Sequence, residues 1–297
     1  MTLRGSRKAK PENDAIPNPT MTLSKLPASA RMGEVTLAVH DLERSLAYYH
    51  DVLGFRILAQ GGDEARVGGD APLLRLVEER DAKPRPRSVS GLYHVAYLLP
   101  TRADLGRLIK KVAQERIPVQ GASDHLVSEA LYLGDPDGHG IEIYADRPRD
   151  TWKWRNATLH MATEPMDVAG VIAAAGDGTW AGVPEGAVVG HVHLNVGDVE
   201  EAEAFYRDAV GFDVTVNIPS ASFLSAGGYH HHLAVNGWEG IGAPPAPKGT
   251  LGLREYEILV PDEEALRDFA KRAGVDVSDT AAARDPSGNA LRVRIAR

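Results

Sequence analysis

Hydrophobic and polar positions follow the same order in two distant parts of the chain, residues 32–55 and 189–212. Each part begins with hydrophobic residues at every second position, a pattern typical of a strand with one buried face. Hydrophobic residues then recur at helical spacing behind an aspartate, Asp41 or Asp198, which is a residue type that caps helix N-termini. Each part closes on Gly-Phe, and glycine is common just after a helix ends. The pattern therefore predicts a strand followed by a helix in both parts.

A second, weaker repeat links residues 91–112 with residues 252–273, and both show the pattern of a strand, a proline and a helix. Each is followed by an Asp-Pro-x-Gly turn and an alternating strand, at residues 134–144 and 284–294. Such repeats are best treated as structural modules, here of about 50 residues. The chain then contains four modules: A (33–79), B (90–146), C (188–237) and D (250–297).

Each module has the order strand, helix and several strands, so we expect an α+β fold of four βαβββ modules in two tandem domains. The first domain spans residues 31–146 and holds modules A and B, and the second spans residues 188–297 and holds modules C and D. Residues 147–187 contain Gly/Pro-rich connections and form the predicted linker, with a short helix at residues 167–175. Residues 1–30 are polar and contain prolines, which predicts a disordered N-terminal tail.

Composition narrows the chemistry that the chain can perform. The 297 residues include no cysteine, so thiolate metal sites and cysteine nucleophiles are excluded, and any metal must bind to histidine, glutamate or aspartate. The formal net charge is −8 and no basic stripe is present, which argues against a nucleic-acid partner. The sequence shows no apolar run long enough for a membrane span and no secretory signal, so a cytoplasmic protein is expected.

Several motifs resemble those of a known family. The first repeat fits the pattern HVxLxVxDxxxAxxFYxxxxGF, and residues 135–142 fit the pattern DPxGxxxE. These motifs resemble the vicinal oxygen chelate superfamily, which includes glyoxalase I, extradiol ring-cleaving dioxygenases and bleomycin-resistance proteins. The resemblance covers residues 32–297. The strings GLYHVAYLLP, GASDHLVSEALYLGDPDGHGIEIY and GGYHHHLAVNGWEG resemble the two-domain catechol-2,3-dioxygenase branch.

The resemblance implies that paired modules wrap a cleft and that ligands come from the first and last strands of each module. By alignment of the repeats, these positions in modules B and C are His94, Glu142, His191 and His232. Three imidazoles and a carboxylate suit a divalent transition metal. The same positions in modules A and D are Glu34, Arg75, Glu255 and Arg292. Two guanidinium groups would repel a cation, so we expect the second set to form a buried ion cluster, and we predict that module B meets module C across the domain boundary.

The likeness to extradiol dioxygenases implies which residues would hold the metal. Such enzymes bind Fe(II) through two histidines and one carboxylate and leave positions for catecholate and O₂. By resemblance, His94 and His191 are the two ligand histidines and Glu142 is the ligand carboxylate. Mn(II), Ni(II) and Zn(II) also suit these side chains, and no site for an organic cofactor is recognised.

Three consecutive histidines occur in module C, in a chain with only 11 histidines. By resemblance, His232 is the catalytic acid–base histidine or a further metal ligand. Alternation along a strand places His230 on the same face as His232, so His230 is expected near the substrate. The same alternation predicts that His231 points the other way.

Further residues are expected around the substrate. His125 and Tyr132 match a histidine and a tyrosine that the family places ahead of its ligand carboxylate, and by resemblance they are catalytic. His193 shares a strand face with the ligand histidine two residues earlier and is expected to line the pocket. Trp238 follows the histidine cluster and is a candidate aromatic wall for the pocket.

Together these features predict an Fe(II)-dependent extradiol dioxygenase that cleaves a catechol-type ring with O₂, and its partners are a small aromatic substrate and O₂. Exposed sheet edges are compatible with a homo-oligomer. Two alternatives stay open. A glyoxalase-like isomerase or lyase would bind Ni(II) or Zn(II) through four ligands, with His232 as the fourth. A metal-free protein that sequesters a drug or small aromatic molecule would use the histidines only to line its pocket.

Overall fold

The computed structural model describes residues 26–296. Short strands with few helices make up this range, in agreement with the predicted α+β fold. The strands in chain order are β1 (Arg31–Val39), β2 (Arg56–Gly61), β3 (Glu64–Gly68), β4 (Pro72–Glu78), β5 (Gly91–Leu98), β6 (Gly121–Asp124), β7 (Ser128–Gly134), β8 (Gly140–Asp146), β9 (Trp154–Arg155), β10 (Thr158–Leu159), β11 (Glu164–Pro165), β12 (Val188–Asn195), β13 (Asp213–Ile218), β14 (Ala221–Ser225), β15 (Leu233–Asn236), β16 (Gly252–Val260), β17 (Thr280–Arg284) and β18 (Ala290–Ile295).

The helices begin behind the predicted capping residues. Asp41 and Asp198 each accept a hydrogen bond from a backbone N–H in the first turn. Gly54 and Gly211, at the ends of these helical segments, have φ of 78° and 103°, the left-handed conformation that glycine adopts without strain. Within residues 26–296, no helix has the length and apolar character to cross a bilayer. The α-helices are α1 (Leu42–Ala47), α2 (Arg102–Glu115), α3 (Val168–Ala174), α4 (Val199–Ala204) and α5 (Glu263–Ala273).

The strands form two large sheets, and each sheet combines modules from both halves of the chain. The A–D sheet has the order β17-β18-β16-β1-β4-β3-β2, and the B–C sheet has the order β11-β6-β7-β8-β5-β12-β15-β14-β13. The joining pairs are antiparallel, β1 with β16 and β5 with β12. Within each module the first strand pairs in parallel with the last. The strand pairing therefore agrees with the prediction that module B meets module C.

Two details differ from the regular module plan. After α5, module D forms only β17 and β18 in the part of the chain that the structure describes, so its third strand is missing. The predicted disordered tail, residues 1–30, also extends too far, because residues 26–30 belong to the folded structure. Leu26 and Ala30 are buried, and the Leu26 backbone N–H donates to the Gly211 carbonyl over 3.0 Å. Residues 26–30 are therefore packed, because the side chains of Leu26 and Ala30 lie in the hydrophobic core. Residues 1–25 lie outside the described range.

The predicted linker helix is confirmed, since α3 lies within residues 167–175 and Asp167 caps it through the Gly170 N–H. The domain limits 31–146 and 188–297 stay a prediction, because both large sheets draw strands from either segment. One hydrophobic core extends over residues of all four modules. The two sequence halves are therefore joined through continuous backbone hydrogen bonding as well as through packing.

Helices α1 and α4 each continue into a π-helical turn that the sequence pattern does not predict, at Tyr48–Val52 and Phe205–Val210. The first turn holds Tyr49, whose hydroxyl donates to Asp135 Oδ2 over 3.2 Å. The second holds Tyr206, whose hydroxyl donates to Asp285 Oδ2 over 2.9 Å. Both aspartates belong to the Asp-Pro-x-Gly turns that precede β8 and β18. Each half of the chain thus ties the helical segment of one module to the last hairpin of the next.

Candidate metal centre

Three neighbouring strands in the middle of the B–C sheet carry the predicted metal ligands. His94 lies on β5, Glu142 on β8 and His191 on β12, and β5 is paired with both of the other strands. Ala96 on β5 is the register partner of Glu142 on one side and of His191 on the other. Directly opposed residues on paired strands have their side chains on the same face. The short side chain of Ala96 therefore leaves room for the carboxylate and the imidazole to converge.

The three side chains each present one atom to a common point. Glu142 Oε2 lies 2.9 Å from His94 Nε2 and 3.2 Å from His191 Nε2. The two Nε2 atoms are 3.3 Å apart. All three residues are buried, and His94, the most exposed of them, is only 5% exposed. Among the described residues, this is the group of histidine and acidic side chains whose atoms lie close enough to share a metal ion.

Burial and charge set the protonation of this group. Burial alone would raise the pKa of Glu142, but electrostatic interactions and hydrogen bonds with His191 and His94 lower it well below its usual value. Burial lowers the pKa of His191 to about 4, although Glu142 acts in the opposite direction. At neutral pH the site therefore offers an ionised carboxylate and a neutral His191 imidazole, and these are the protonation states that bind metal.

The donor set fits a divalent cation. Glu142 is a buried carboxylate whose hydrogen-bonding partners are two imidazoles. A buried negative charge without a permanent cation beside it is costly, and a divalent metal ion would compensate that charge. Two imidazole nitrogens and one carboxylate oxygen match the facial set of non-haem Fe(II) oxygenases.

His125 and Tyr132 form a pair beside the candidate metal ligands. Tyr132 on β7 is the register partner of Glu142. Its hydroxyl lies 2.6 Å from His125 Nε2, and His125 Nδ1 lies 2.8 Å from the Ala162 carbonyl oxygen. A carbonyl only accepts, so Nδ1 carries the hydrogen, and the Nε2 of the neutral ring accepts from the Tyr132 hydroxyl. Burial, with the Glu142 charge, raises the pKa of Tyr132, which keeps this hydroxyl protonated.

His193 lies next to His94 across the β5–β12 pairing, as its register partner. The backbone N–H of Trp238 donates to Asn236 Oδ1 over 3.0 Å, which fixes the orientation of the Asn236 amide. The Asn236 Nδ2 then donates to His193 Nε2 over 2.9 Å. Burial lowers the pKa of His193 well below its usual value. His193 is therefore a neutral imidazole with its hydrogen on Nδ1, and the sequence pattern did not point to Asn236.

The structure does not bring His232 to the candidate metal ligands. Its ring stacks on Phe212, with 6.0 Å between ring centroids, and its Nδ1 accepts the backbone N–H of Ala226 over 3.2 Å. Burial lowers the pKa of His232 to about 3, so it is neutral. Strand β15 begins only at Leu233, so the alternation used to orient His232 does not extend back to it.

His231 occupies the place expected for His232. Its ring centroid lies 4.1 Å from that of His191, and it lines the same cavity as the candidate ligands. The prediction that His231 points away is wrong, because residues 230–232 follow a turn and form a bend, not a strand. Gly227 and Gly228 build that turn, with φ of 63° and 67°. His230 was predicted to lie in the pocket, but it is completely buried next to His231 and pairs with Asp146.

A cavity of about 620 Å³ opens next to the candidate metal ligands. Its described lining includes no lysine and no arginine. Module C contributes the apolar side chains of Val216, Ile218 and Phe223 to the lining. The ring of Trp238 also lines the cavity and lies 5.2 Å from the ring of Tyr93. The sequence did not identify Tyr93 as a cavity residue, because no motif or repeat position distinguishes it from the other residues of β5. The lining includes His125, Tyr132, His193, Val216, Phe223, His231 and Trp238.

The equivalent face of the A–D sheet carries ion pairs. Arg292 pairs with Glu255 over 2.9 Å, as predicted. Glu34 instead pairs with Arg66 over 3.0 Å, and Arg75 pairs with Glu64. The cluster is partly exposed and not buried as predicted, and β3 supplies two of the partners, Arg66 and Glu64. Cationic side chains at these positions leave this face without a metal-binding set.

Comparisons with known proteins agree on the fold. The model of the Glyoxalase/Bleomycin resistance protein/Dioxygenase superfamily matches residues 31–143 and 188–293. A catechol-2,3-dioxygenase of Bacillus subtilis (strain 168) is 43% identical over 267 residues, covering 87% of this chain and 93% of that protein.

More distant similarities are to a second ring-cleaving dioxygenase and to a glyoxalase I structure. Biphenyl-2,3-diol 1,2-dioxygenase 2 of Rhodococcus globerulus is 26% identical over 126 residues, which cover 40% of this chain and 64% of that protein. The crystal structure of glyoxalase I from Zea mays superposes with a TM-score of 0.55 at 17% identity, over 90% of this chain and 92% of that one. The structural likeness shows a shared fold, while the sequence likeness to the Bacillus protein extends along most of both chains.

Proposed function

The chain belongs to the Glyoxalase/Bleomycin resistance protein/Dioxygenase superfamily, and from that membership we propose that it is an extradiol dioxygenase that opens a catechol-type ring with O₂. The observation that supports this most directly is the buried convergence of His94, Glu142 and His191 beside a cavity of about 620 Å³. The 43% identity to a catechol-2,3-dioxygenase over most of both chains supports the same reaction.

We propose Fe(II) as the metal ion. Two neutral imidazoles and one carboxylate leave a bound Fe(II) with a net charge of about +1 and with several open positions. When bound, the ion supplies the redox chemistry with O₂ and draws the catechol oxygens to the site. Mn(II) satisfies the same three ligands, so the metal is best identified by activity after loading with each ion.

The remaining cavity residues have defined hydrogen-bonding roles towards a catechol. The Tyr132 hydroxyl donates to His125, so its oxygen is left to accept a hydrogen bond from a substrate hydroxyl. His193 carries its hydrogen on Nδ1 and is a donor for a substrate oxygen. His231 adjoins His191 and lines the cavity, so we assign to it the acid–base role that the sequence pattern had given to His232.

The lining also points to the charge of the substrate. Carboxylated catechols need a cationic partner in a site of this kind, because burying an unpaired carboxylate is costly. The described lining offers no lysine or arginine, and it includes the apolar side chains of Val216, Phe223 and Trp238. We therefore expect neutral catechols with apolar substituents to be preferred over carboxylated ones.

The alternatives receive less support from this geometry. A four-ligand isomerase or lyase site needs His232 beside the other three residues, and His232 stacks on Phe212 instead. A metal-free binding protein has no need for a buried carboxylate between two imidazoles. Both alternatives remain distinct outcomes of the experiment that follows.

The experiment is oxygen uptake by protein that is purified anaerobically, loaded with Fe(II) and given neutral and carboxylated catechols. We expect uptake together with a yellow ring-opened product, and higher kcat/KM for the neutral catechols. His94→Ala and His191→Ala should abolish uptake and iron binding, whereas His231→Ala should keep the iron and lower kcat by about 100-fold or more. His160→Ala is a matched control, because His160 is exposed and is not itself part of the cavity lining.

Other results would favour another function. Stoichiometric metal without oxygen uptake on any catechol would favour an isomerase or lyase. Absence of bound metal after loading, together with tight binding of aromatic molecules, would favour a sequestering protein.

A further inference from the structure

A row of three polar side chains leads from the cavity to the end of β8. His231 Nδ1 lies 2.7 Å from His230 Nδ1, and His230 Nε2 lies 3.0 Å from Asp146 Oδ1. His231 lines the cavity, His230 is fully buried, and the Asp146 side chain is 23% exposed. The row connects the histidine beside the candidate metal ligands with a carboxylate near the protein surface.

The donors and acceptors in this row have a defined order. The Asp146 carboxylate only accepts hydrogen bonds, so His230 Nε2 carries a hydrogen and donates it. When the His230 ring is neutral its other nitrogen has no hydrogen, and His230 Nδ1 is then an acceptor. The hydrogen between the two histidines then belongs to His231 Nδ1. His231 Nε2 is left with a free lone pair, and no described residue forms a hydrogen bond with it.

We propose that Asp146 and His230 are positioning residues that hold His231 in the tautomer with hydrogen on Nδ1, so that Nε2 accepts a proton from the catechol. The inference rests on the proposed dioxygenase function for the identity of the substrate, but the tautomer itself is a property of the protein alone. An imidazole fixed in this way needs no rearrangement before it accepts a proton, as in other sites where a carboxylate orients a histidine.

The carboxylate is itself held in place. Tyr229 donates its hydroxyl to Asp146 Oδ1 over 3.2 Å, and the Tyr229 and Tyr144 hydroxyl oxygens are 2.7 Å apart. The Tyr144 hydroxyl lies where a Cβ on Gly190 would be, within 1.8 Å of that position. Gly190 directly precedes His191, so the absence of a side chain there makes room for this support. Such second contacts restrict the rotamers of a functional group and keep its geometry.

Strand β8 carries both a candidate metal ligand and the carboxylate at the end of the hydrogen-bonded row. It carries Glu142, a candidate metal ligand, and four residues later Asp146, so both side chains lie on one face of the strand. The position of the proton acceptor relative to the metal ligands is therefore fixed by a single strand and by one row of hydrogen bonds.

The direct test is ¹⁵N NMR of the metal-free protein with labelled histidines, with the His231 signals assigned by their loss in His231→Gln. We expect Nδ1 of His231 to carry the hydrogen and Nε2 to be unprotonated. A hydrogen on Nε2 of the neutral ring would overturn the proposal. This measurement needs no activity, so it decides the tautomer even if the dioxygenase function fails.

Kinetics of the iron-loaded enzyme test the consequence. In Asp146→Asn the side-chain amide can donate to His230 Nε2, which reverses the order of hydrogens along the row. We expect kcat to fall by about 10- to 100-fold, with the KM for catechol and the iron content unchanged. Asp150→Asn is the matched control, since Asp150 is exposed and outside the row, and it should behave as wild type. Unchanged kcat in Asp146→Asn, or a loss of iron or a raised KM instead of a kcat effect, would contradict a positioning role.

Discussion

His231 and His232 are neighbours in the chain, but only His231 lies beside the candidate metal ligands. The difference arises from the turn at Gly227 and Gly228, after which the chain bends before β15 begins at Leu233. Alternation predicts side-chain direction only inside a regular strand. Glu142 and His191 lie inside such strands, and their convergence could be predicted from the repeats. The direction of the three consecutive histidines could not, because it depends on the geometry of the bend.

The buried His232 gives the metal-free protein a pH-dependent stability. Its pKa is lowered to about 3, mainly by burial, while the same residue titrates near its usual value in the unfolded chain. Between these two pH values the unfolded state binds the additional proton, so the free energy of unfolding falls as the pH falls from about 6.5 towards 3. In His232→Phe this contribution is absent, and the decline over that range should be shallower.

Urea denaturation of the metal-free protein at several pH values would measure the decline. His160→Phe, at an exposed position, should retain the wild-type pH dependence. An equally steep decline in His232→Phe would mean that other buried groups dominate, foremost His191, whose pKa is lowered to about 4.

Among the elements, β5 determines whether the metal ligands can converge. Ala96 lies between Glu142 and His191 in the register and is completely buried. In Ala96→Val the added methyl groups would occupy the space that the two ligands share, and overpacking of this kind costs about 1–3 kcal/mol. We expect the variant to fold, with a modest loss of stability, and to lose most of its capacity to bind the metal.

Metal content by elemental analysis, with thermal unfolding of the same samples, would separate these effects. Ala59→Val, on the exposed strand β2, introduces the same side chain without a change at the site and should bind metal as wild type does. Full metal content in Ala96→Val would show that the small side chain is not needed for convergence.

The ends of the helices show which features the sequence pattern can predict and which it cannot. The caps Asp41 and Asp198 and the linker helix were predicted, because local hydrogen bonding fixes them. The π-helical turns after α1 and α4 were not predicted, and each holds a tyrosine whose hydroxyl donates to an aspartate in the next module. Local chemistry is visible in the sequence, whereas these contacts join residues that are about 80 positions apart.

For the whole molecule, the pairing of modules could be predicted from charge. Placing the arginines of modules A and D beside histidine ligands would have prevented cation binding, and the structure indeed separates the two sets into different sheets. The number of strands in module D and the partners of Glu34 and Arg75 were not predicted. They depend on loop lengths and on neighbouring strands that the repeat alignment does not constrain.

This pairing predicts that neither half of the chain binds the metal by itself. Residues 1–187 contain His94 and Glu142, and residues 188–297 contain His191. Separation also exposes β1, β5, β12 and β16 as unpaired edges, and exposed edges of this length promote aggregation. We expect each half to be poorly soluble alone, and co-expression to restore a soluble complex with bound metal.

Solubility and metal content of the separate and co-expressed halves would test this. Stoichiometric metal in the first half alone would show that His191 is dispensable. A soluble, monomeric and metal-free half would show that the β1–β16 and β5–β12 pairings contribute little to folding.

The two joining pairs, β1–β16 and β5–β12, also bear on how such a chain can change. If the halves were two identical molecules related by a twofold axis, every substitution would appear at both of these strand pairs (here called seams) at once. Because one polypeptide carries both halves, the residues at each seam can change independently. One seam can therefore hold arginine–glutamate pairs while the other keeps its imidazoles, so a symmetric architecture supports a single, asymmetric reaction centre.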